Sequence, residues 1–137
     1  MASTKPYPSS LQADDLPAET IVEHYFSSFN AGDFDATAAL FAIDGALHPP
    51  FESAIVGTAA IAQYLKAEAE GMQAYPEMLE VTQTDASSRR ILVKGRVKAL
   101  VFKVNVAWTF EIDETEQIRS AEIKLLASMQ ELLSLRP

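Results

Sequence analysis

The sequence contains no cysteine, only two histidines, and no uninterrupted apolar run long enough to cross a membrane. The absence of cysteine excludes disulfides, thiolate metal sites, a redox switch and a cysteine nucleophile. The start of the chain has no apolar core of a secretory signal, so we expect a cytoplasmic protein. Cations are also few, with 11 lysines and arginines against 19 aspartates and glutamates. The resulting charge of −8 disfavours nucleic acid as a partner, because an acidic surface repels phosphate.

What the chain does contain is the composition of one globular domain, with 137 residues, 48% of them apolar and 22% charged. Residues 1–15 are rich in serine, proline and aspartate, and we interpret them as a flexible N-terminal arm. Residues 16–137 are predicted to form a single domain, since no repeat or linker divides them.

The first half of this domain is predicted to be mainly helical. Proline suits the first turn of a helix, glycine suits the position after its end, and aspartate is a good cap for the next helix. Apolar residues recur at helical spacing between these signals. The predicted helices run from Pro17 to Gly32, from Asp33 through Phe41, and from Gly57 to near Gly71.

After Pro76 the apolar period changes to two, which is typical of half-buried strands. Two short extended pieces precede the third helix, at 46–48 and 51–56, and Asp44-Gly45 is a turn signal. Helices followed by an antiparallel meander define an α+β fold, a curved antiparallel sheet wrapped around the N-terminal helices with an apolar cavity between them. The long strands are predicted over 77–84, 91–101, 104–113 and 119–125, before a short helix over 129–135.

The side chains predicted to face the cavity are apolar, apart from Arg119 at a strand edge. An acid–base enzyme needs an ionisable group inside its pocket, and this inward set supplies none. It supplies two hydrogen-bond donors, the Trp108 indole N–H and the Tyr25 hydroxyl. Together they can bind one carbonyl oxygen of an otherwise apolar ligand. The alternative, that both are core aromatics bonded to backbone, stays open. The inward set of the strands comprises Val93, Val97, Ala99, Val101, Val104, Val106, Trp108, Phe110, Ala121, Ile123 and Leu125.

No enzyme motif is present, whether a glycine-rich phosphate loop, a nucleophile elbow or a zinc-protease helix. His24 borders the apolar stripe of the first helix, and His48 precedes two prolines at a strand end. Both are interpreted as structural. A small-molecule enzyme would require an aspartate, glutamate or histidine within the cavity, and His24, Asp44 or His48 pointing inward beside Tyr25 would favour it.

Several segments of this chain carry a resemblance to a known family: Asn30–Asp35, Asp44–Phe51, Ile55–Gly57, Val93–Val97, Asn105–Phe110, Leu125–Ser128 and Glu131–Leu133. With these segments in the same order, residues from about 19 to 136 resemble the C-terminal domain of the cyanobacterial orange carotenoid protein and its free-standing homologs. The layout is also similar to the wider nuclear transport factor 2-like superfamily, a likeness that alone implies no function.

This resemblance implies a nuclear transport factor 2-like cone that holds the end ring of a ketocarotenoid, such as canthaxanthin or echinenone, in its cavity. It makes Tyr25 and Trp108 the hydrogen-bond donors to the keto oxygen. Ile123 and Leu125 are implied as walls by the resemblance and predicted inward by alternation. The implied pocket walls are Phe29, Ala74, Val101, Phe102, Val106, Ile123 and Leu125.

The resemblance further implies a non-catalytic carrier that stores and transfers carotenoid, quenches singlet oxygen in photoprotection, and works as a homodimer sharing one pigment. The predicted partners are helical carotenoid proteins related to the N-terminal domain of the orange carotenoid protein, and a membrane in transient contact for pigment uptake. Two departures stand out. Val101 replaces a tryptophan of the full-length protein, and Lys103 replaces a cysteine that links dimers in some relatives.

Two alternatives from other classes stay open. The first is a small-molecule enzyme of the ketosteroid isomerase or polyketide cyclase type on the same fold. The second is an interaction module that dimerises through its sheet and binds a protein partner, with its cavity filled by its own side chains.

Overall fold

The computed structural model describes residues 4–6, 17–85 and 88–126, and in this part of the chain three helices pack on one face of a curved sheet. The helices begin close to their predicted positions, because proline, glycine and aspartate set helix ends locally. Their bounds are Pro17–Asn30 for α1, Phe34–Ala39 for α2 and Thr58–Glu68 for α3.

The described strands form a single mixed sheet. In chain order they are β1 (Thr4–Pro6), β2 (Phe41–His48), β3 (Ile55–Val56), β4 (Gln73–Thr84), β5 (Ser88–Ala99), β6 (Phe102–Asp113) and β7 (Ile118–Leu126). Across the sheet the order is β1-β4-β5-β6-β7-β2-β3. Strands β4 to β7 form the predicted antiparallel meander, and the α+β class is confirmed.

The junction between α1 and α2 follows from two neighbouring residues. Gly32 has φ of 76°, a left-handed conformation that glycine adopts without strain and that commonly ends a helix. Asp33 then caps α2, and its Oδ1 accepts a hydrogen bond from the backbone nitrogen of Ala36 at 3.2 Å. The chain therefore reverses over a very short distance, and α2 packs beside α1.

Strand β2 differs from its prediction in length and in pairing. The turn predicted at Asp44-Gly45 is wrong, because both residues lie within β2, where its register against β7 shifts. The two strands run parallel, so the sheet is mixed and not purely antiparallel. A Cβ on Gly45 would lie 2.7 Å from the carbonyl oxygen of Ile118. The Asp-Gly pair therefore marks a bulge that needs glycine for close strand approach.

Aromatic side chains join α1 to the centre of the sheet. The Tyr25 and Phe110 ring centroids lie 5.0 Å apart, and those of Phe26 and Trp108 lie 4.8 Å apart. Both pairs meet edge to face, the arrangement that aromatic quadrupoles favour. All four side chains are buried, so α1 is anchored on β6 at the centre of the core.

The hairpin between β5 and β6 is closed by only two residues, Leu100 and Val101. Ala99 pairs with Phe102, so β5 ends two residues before the predicted 91–101 strand. Leu100 has φ of 59°, a left-handed conformation that glycine or asparagine adopts more readily. Side chains in such a turn no longer alternate between the two faces of the sheet. Both residues face solvent.

The two ends of the chain are described only in part. Thr4–Pro6 pair with Met78–Glu80 of β4. The other residues of the predicted 1–15 arm and the whole predicted helix at 129–135 lie outside the described residues, so both stay predictions. Among the described helices, none is both long enough and apolar enough to cross a membrane.

Gly95 provides a test of how closely β4 and β5 approach. A Cβ at this position would overlap the carbonyl oxygen of Tyr75 and lie 2.8 Å from the Cα of Pro76, both backbone atoms that cannot move independently. Gly95→Ala is therefore expected to lower the free energy of unfolding by about 1–3 kcal/mol, since the strands must separate. Denaturant unfolding measures the change, with Lys94→Ala, an exposed neighbour on β5, as control. Equal stability of both variants would contradict this packing.

Candidate functional site

The helices and the sheet enclose an apolar space of about 200 Å³, here named the inner cavity. Its walls come from α1, α3, the end of β2 and the inner faces of β4 to β7. This volume is below the ~300–1,000 Å³ typical of pockets that enclose a whole drug-sized ligand. The cavity can therefore enclose one end of an elongated ligand. The side chains with polar groups in its lining are Tyr25, Tyr64, Glu68 and Trp108.

Tyr25 places a hydroxyl group in apolar surroundings. Its side chain is 1% exposed, and its ring packs edge-on against Phe26 and Phe110. The buried hydroxyl has no hydrogen-bond partner among the described residues. Burial raises the pKa of Tyr25 well above its usual value, because the charged phenolate would lose its solvation. The hydroxyl therefore stays protonated and is available as a donor.

Trp108 supplies a second donor to the inner cavity. It lies at the centre of β6, paired with Val93 of β5 and Ile123 of β7. Its side chain lines the cavity, and its indole N–H makes no hydrogen bond within the described part of the chain. An indole nitrogen donates and does not accept. A ligand that satisfies both Tyr25 and Trp108 must therefore bring an acceptor oxygen.

Seven of the nine predicted site residues meet at this cavity. Inward-facing strand positions follow from period-two alternation, and Phe29 follows Tyr25 by one helical turn. The orange-carotenoid-protein resemblance and the alternation therefore converge on one face of the sheet. The predicted site residues that line the cavity are Tyr25, Phe29, Ala74, Val106, Trp108, Ile123 and Leu125, and their contact with a ligand stays a prediction.

Val101 and Phe102 do not line the cavity, contrary to expectation. Val101 belongs to the two-residue turn, where strand alternation no longer applies, and it is 87% exposed. Phe102 lies opposite Ala99, which does line the cavity, but it is the first residue of β6 and is 67% exposed. The short hairpin turn is the reason that both wall predictions fail.

Several lining residues escaped the sequence analysis, among them Leu47, Met72 and Glu68. Leu47 alternates inward along β2, a strand whose predicted span began only at residue 46. Met72 precedes β4 outside any periodic segment, so no pattern marked it. Glu68 follows Tyr64 by four residues on α3, a spacing that places both on one face of the helix. That spacing is a signal that could have found it.

A polar contact closes one side of the cavity rim. The hydroxyl of Tyr64 donates to Oε2 of Glu52 at 2.8 Å, which joins α3 to the connection between β2 and β3. Burial and this bond both raise the pKa of Tyr64, so its hydroxyl stays protonated. Unlike Tyr25, Tyr64 already has an acceptor. Glu68 supplies a carboxylate at the exposed part of the lining.

The ionisable residues considered as enzyme candidates lie elsewhere. His24 is exposed and lines a separate groove beside α2. Asp44 is exposed and its Oδ1 lies 3.6 Å from Nη1 of Arg119, which is also exposed. His48 is half-buried and faces a groove on the other side of the Pro49-Pro50 segment. None of these four side chains lines the inner cavity.

Asn30 holds one wall of the cavity in place. Its Nδ2 donates to the carbonyl oxygen of Ala74 at 2.8 Å, and its Oδ1 accepts from the backbone nitrogen of Ala74 at 2.7 Å. This paired contact replaces a missing strand neighbour at the start of β4. It fixes Ala74 against the end of α1, next to Phe29.

A curved sheet closed by N-terminal helices over an apolar cavity defines the nuclear transport factor 2-like class of fold. The family model of the SnoaL-like domain matches residues 22–121, and the chain belongs to this family. Within it, the chain is homologous to the C-terminal domain of the orange carotenoid protein, as the sequence segments predicted.

Three relatives illustrate the range of this family. The orange carotenoid-binding protein of Limnospira maxima is 33% identical over 131 residues, which are 93% of this chain and 41% of the relative. The solved orange carotenoid protein of Anabaena (Nostoc) sp. PCC 7120, binding canthaxanthin, is 35% identical with a TM-score of 0.76, over 85% of this chain and 39% of that one. The chain thus spans about two fifths of their length. A putative polyketide cyclase from Sinorhizobium meliloti is 28% identical with a TM-score of 0.63, over 83% of this chain and 100% of that one.

Replacing Tyr25 tests whether its hydroxyl contributes to the stability of the fold. In the ligand-free protein, Tyr25→Phe removes a buried hydroxyl that lacks a partner, so the free energy of unfolding should stay unchanged or rise by about 1 kcal/mol. Tyr64→Phe is the control, because it removes a hydroxyl that is bonded to Glu52. Thermal and denaturant unfolding of both variants measure the effect. A clear loss of stability in Tyr25→Phe would show that its hydroxyl has a structural partner.

Proposed function

We propose that this chain is a non-catalytic ketocarotenoid-binding carrier that stores and transfers pigment. The observation that carries the proposal is the unpartnered hydroxyl of Tyr25 in an apolar cavity that also presents Trp108. The homology to the orange carotenoid protein, one of whose solved forms binds canthaxanthin, supports the same ligand class.

The chemistry of the two donors restricts the class of ligand that the cavity can bind. Tyr25 stays protonated because burial raises its pKa, and the indole of Trp108 only donates. Leaving a buried hydroxyl such as that of Tyr25 without a partner costs about 1–3 kcal/mol. A keto oxygen accepts two hydrogen bonds, one for each lone pair, and the rest of a ketocarotenoid ring is apolar. A ring of this kind therefore suits both the donors and the walls.

The size of the cavity supports a shared pigment. At about 200 Å³ it can hold an end ring, while the long polyene has to leave through the mouth. Val104 and Leu125 line the cavity and are 41% and 45% exposed, so the mouth is apolar and open to solvent. Two copies that meet at their mouths would cover one pigment from both ends. In this proposal the polyene itself quenches singlet oxygen, and the protein keeps it dispersed.

Absorption spectroscopy tests the ligand. Mixing the purified chain with canthaxanthin is expected to give a red-shifted visible band, because two hydrogen bonds to the keto oxygen draw charge along the conjugated chain. The double variant Tyr25→Phe/Trp108→Phe is expected to lose this shift and most of the bound pigment.

Two controls make the result specific. Tyr64→Phe keeps the shift, because that tyrosine donates to Glu52 and not into the cavity. β-Carotene, which has no keto oxygen, should give no comparable shift with the unchanged protein. Absence of a shift with canthaxanthin, or its survival in the double variant, would overturn the proposal.

A pigment shared between two chains predicts how many pigment molecules bind per chain. Titration with canthaxanthin is expected to saturate at one pigment for two chains, and native mass spectrometry should show a loaded dimer. A loaded monomer with one pigment per chain would contradict the shared arrangement while leaving pigment binding intact.

The competing function is a small-molecule enzyme of the ketosteroid isomerase or polyketide cyclase type. The observation in its favour is Glu68, a carboxylate in the cavity lining that the sequence analysis did not place there. Glu68 is exposed, so its carboxylate is not enclosed away from water as the base of a closed catalytic pocket is. Turnover of a cyclic ketone that Glu68→Gln abolishes, together with no pigment binding, would favour the enzyme.

A further inference from the structure

The tip of the β5–β6 hairpin exposes three consecutive apolar side chains. Leu100 and Val101 are 86% and 87% exposed, and Phe102 is 67% exposed. None of them contributes to the core or to the lining of the inner cavity. Leu100 also occupies a left-handed conformation for which glycine or asparagine is better suited. Neither burial nor turn geometry therefore explains apolar side chains at this tip.

Two lysines flank the tip in directly paired positions. Lys98 of β5 lies opposite Lys103 of β6, and both are exposed. Like charges directly opposite each other destabilise a strand pair, so this arrangement does not serve the sheet. Neither lysine forms an ion pair within the described residues. The pair therefore leaves two positive charges free beside an apolar tip.

The positive charge continues along the outer face of the sheet. Lys94 lies beside Ala107, on the same face as the tip lysines, while Lys124 on the other side of Ala107 is paired with Glu122 at 4.0 Å. On the neighbouring strand, Glu77 is paired with Arg96 at 2.9 Å and does not neutralise them. Glu68, at the end of α3, belongs to the helix layer on the opposite face of the sheet. A chain of net charge −8 thus presents a local positive strip at this end.

Apolar surface connects the tip with the inner cavity. Ala99, next to Leu100, lines the cavity, and so does Val104, two residues after Phe102. Val104 is partly exposed as well, so the apolar surface is continuous from the tip to the mouth. An apolar ligand could follow this surface without entering bulk water.

We propose that this tip docks on a lipid bilayer with anionic headgroups. Leu100, Val101 and Phe102 enter the boundary between headgroups and acyl chains, while Lys98 and Lys103 extend their charged ends to the anionic groups. A two-residue hairpin end is too narrow for a stable protein interface, which needs roughly 800 Å² per partner. Docking in this orientation brings the cavity mouth to the bilayer. Ligand transfer through it rests on the proposed carrier function, but docking itself does not.

Vesicle sedimentation with the full, pigment-free chain tests docking. We expect binding to phosphatidylcholine vesicles that contain phosphatidylglycerol, little binding to phosphatidylcholine alone, and weaker binding as salt rises. Lys98→Gln/Lys103→Gln is expected to reduce partitioning about tenfold or more, because each lysine near an anionic surface contributes. Leu100→Asn/Val101→Ser should have a similar effect, and asparagine suits the left-handed position, so the hairpin keeps its fold.

Two controls match these variants. Arg89→Gln/Arg90→Gln removes the same charge from the opposite end of β5, and Ile43→Ser removes an equally exposed apolar side chain from β2. Both should bind vesicles like the unchanged chain. Equal binding of tip and control variants, or binding without dependence on anionic lipid, would overturn the proposal. So would gel filtration showing that the tip variants only separate two copies of the chain.

The outcome is separable from that of the carrier proposal. The tip variants are expected to keep the canthaxanthin band when pigment is supplied in detergent, because the tip lies outside the cavity lining. Loss of vesicle binding with an intact band supports docking by the tip. Vesicle binding in the absence of a canthaxanthin absorption band would support docking and contradict the carrier function.

Discussion

The edge-to-face packing of α1 aromatics on β6 is the contact on which the rest of the structure depends. Tyr25 and Phe26 meet Phe110 and Trp108 at the centre of the sheet, which sets the height of the helix above it. A helix can touch a curved sheet over only part of its length, so space is left beside this contact. α3 and the Pro49-Pro50 segment close that space from the other side. The cavity is thus a geometric result of anchoring a helix on a curved surface.

The same contact places a polar atom where folding alone would not favour it. The Tyr25 hydroxyl is held among apolar rings by packing that would serve equally well without it. Local departures from good polar pairing are expected at functional sites, where the remaining core offsets their cost. The Tyr64–Glu52 bond on the rim shows the ordinary alternative, a hydroxyl with an acceptor. The contrast between the two tyrosines separates a binding group from a structural one.

Local signals explain what the sequence could predict. The start of α1 at Pro17, the Asp33 cap and the inward faces of β5 and β6 depend on neighbours in the chain, and all were found. Asp44-Gly45 was misread because turns and bulges use the same dipeptide, and the choice depends on pairing with distant β7. Val101 failed because alternation cannot show where a strand stops. The Tyr25 donor was predicted, but its lack of a partner depends on three-dimensional surroundings that no local pattern contains.

The parallel pairing of β2 with β7 has a consequence for how the chain assembles. β7 lies between β6 and β2 in the sheet, although it is the last described strand along the chain. Strand β2 is therefore synthesised early but cannot join the meander until β7 has formed. Contacts of such large sequence separation slow folding, because loop closure precedes the stabilising contacts. During synthesis on the ribosome, the edge of β2 that pairs with β7 therefore stays unpaired until this last described strand has emerged.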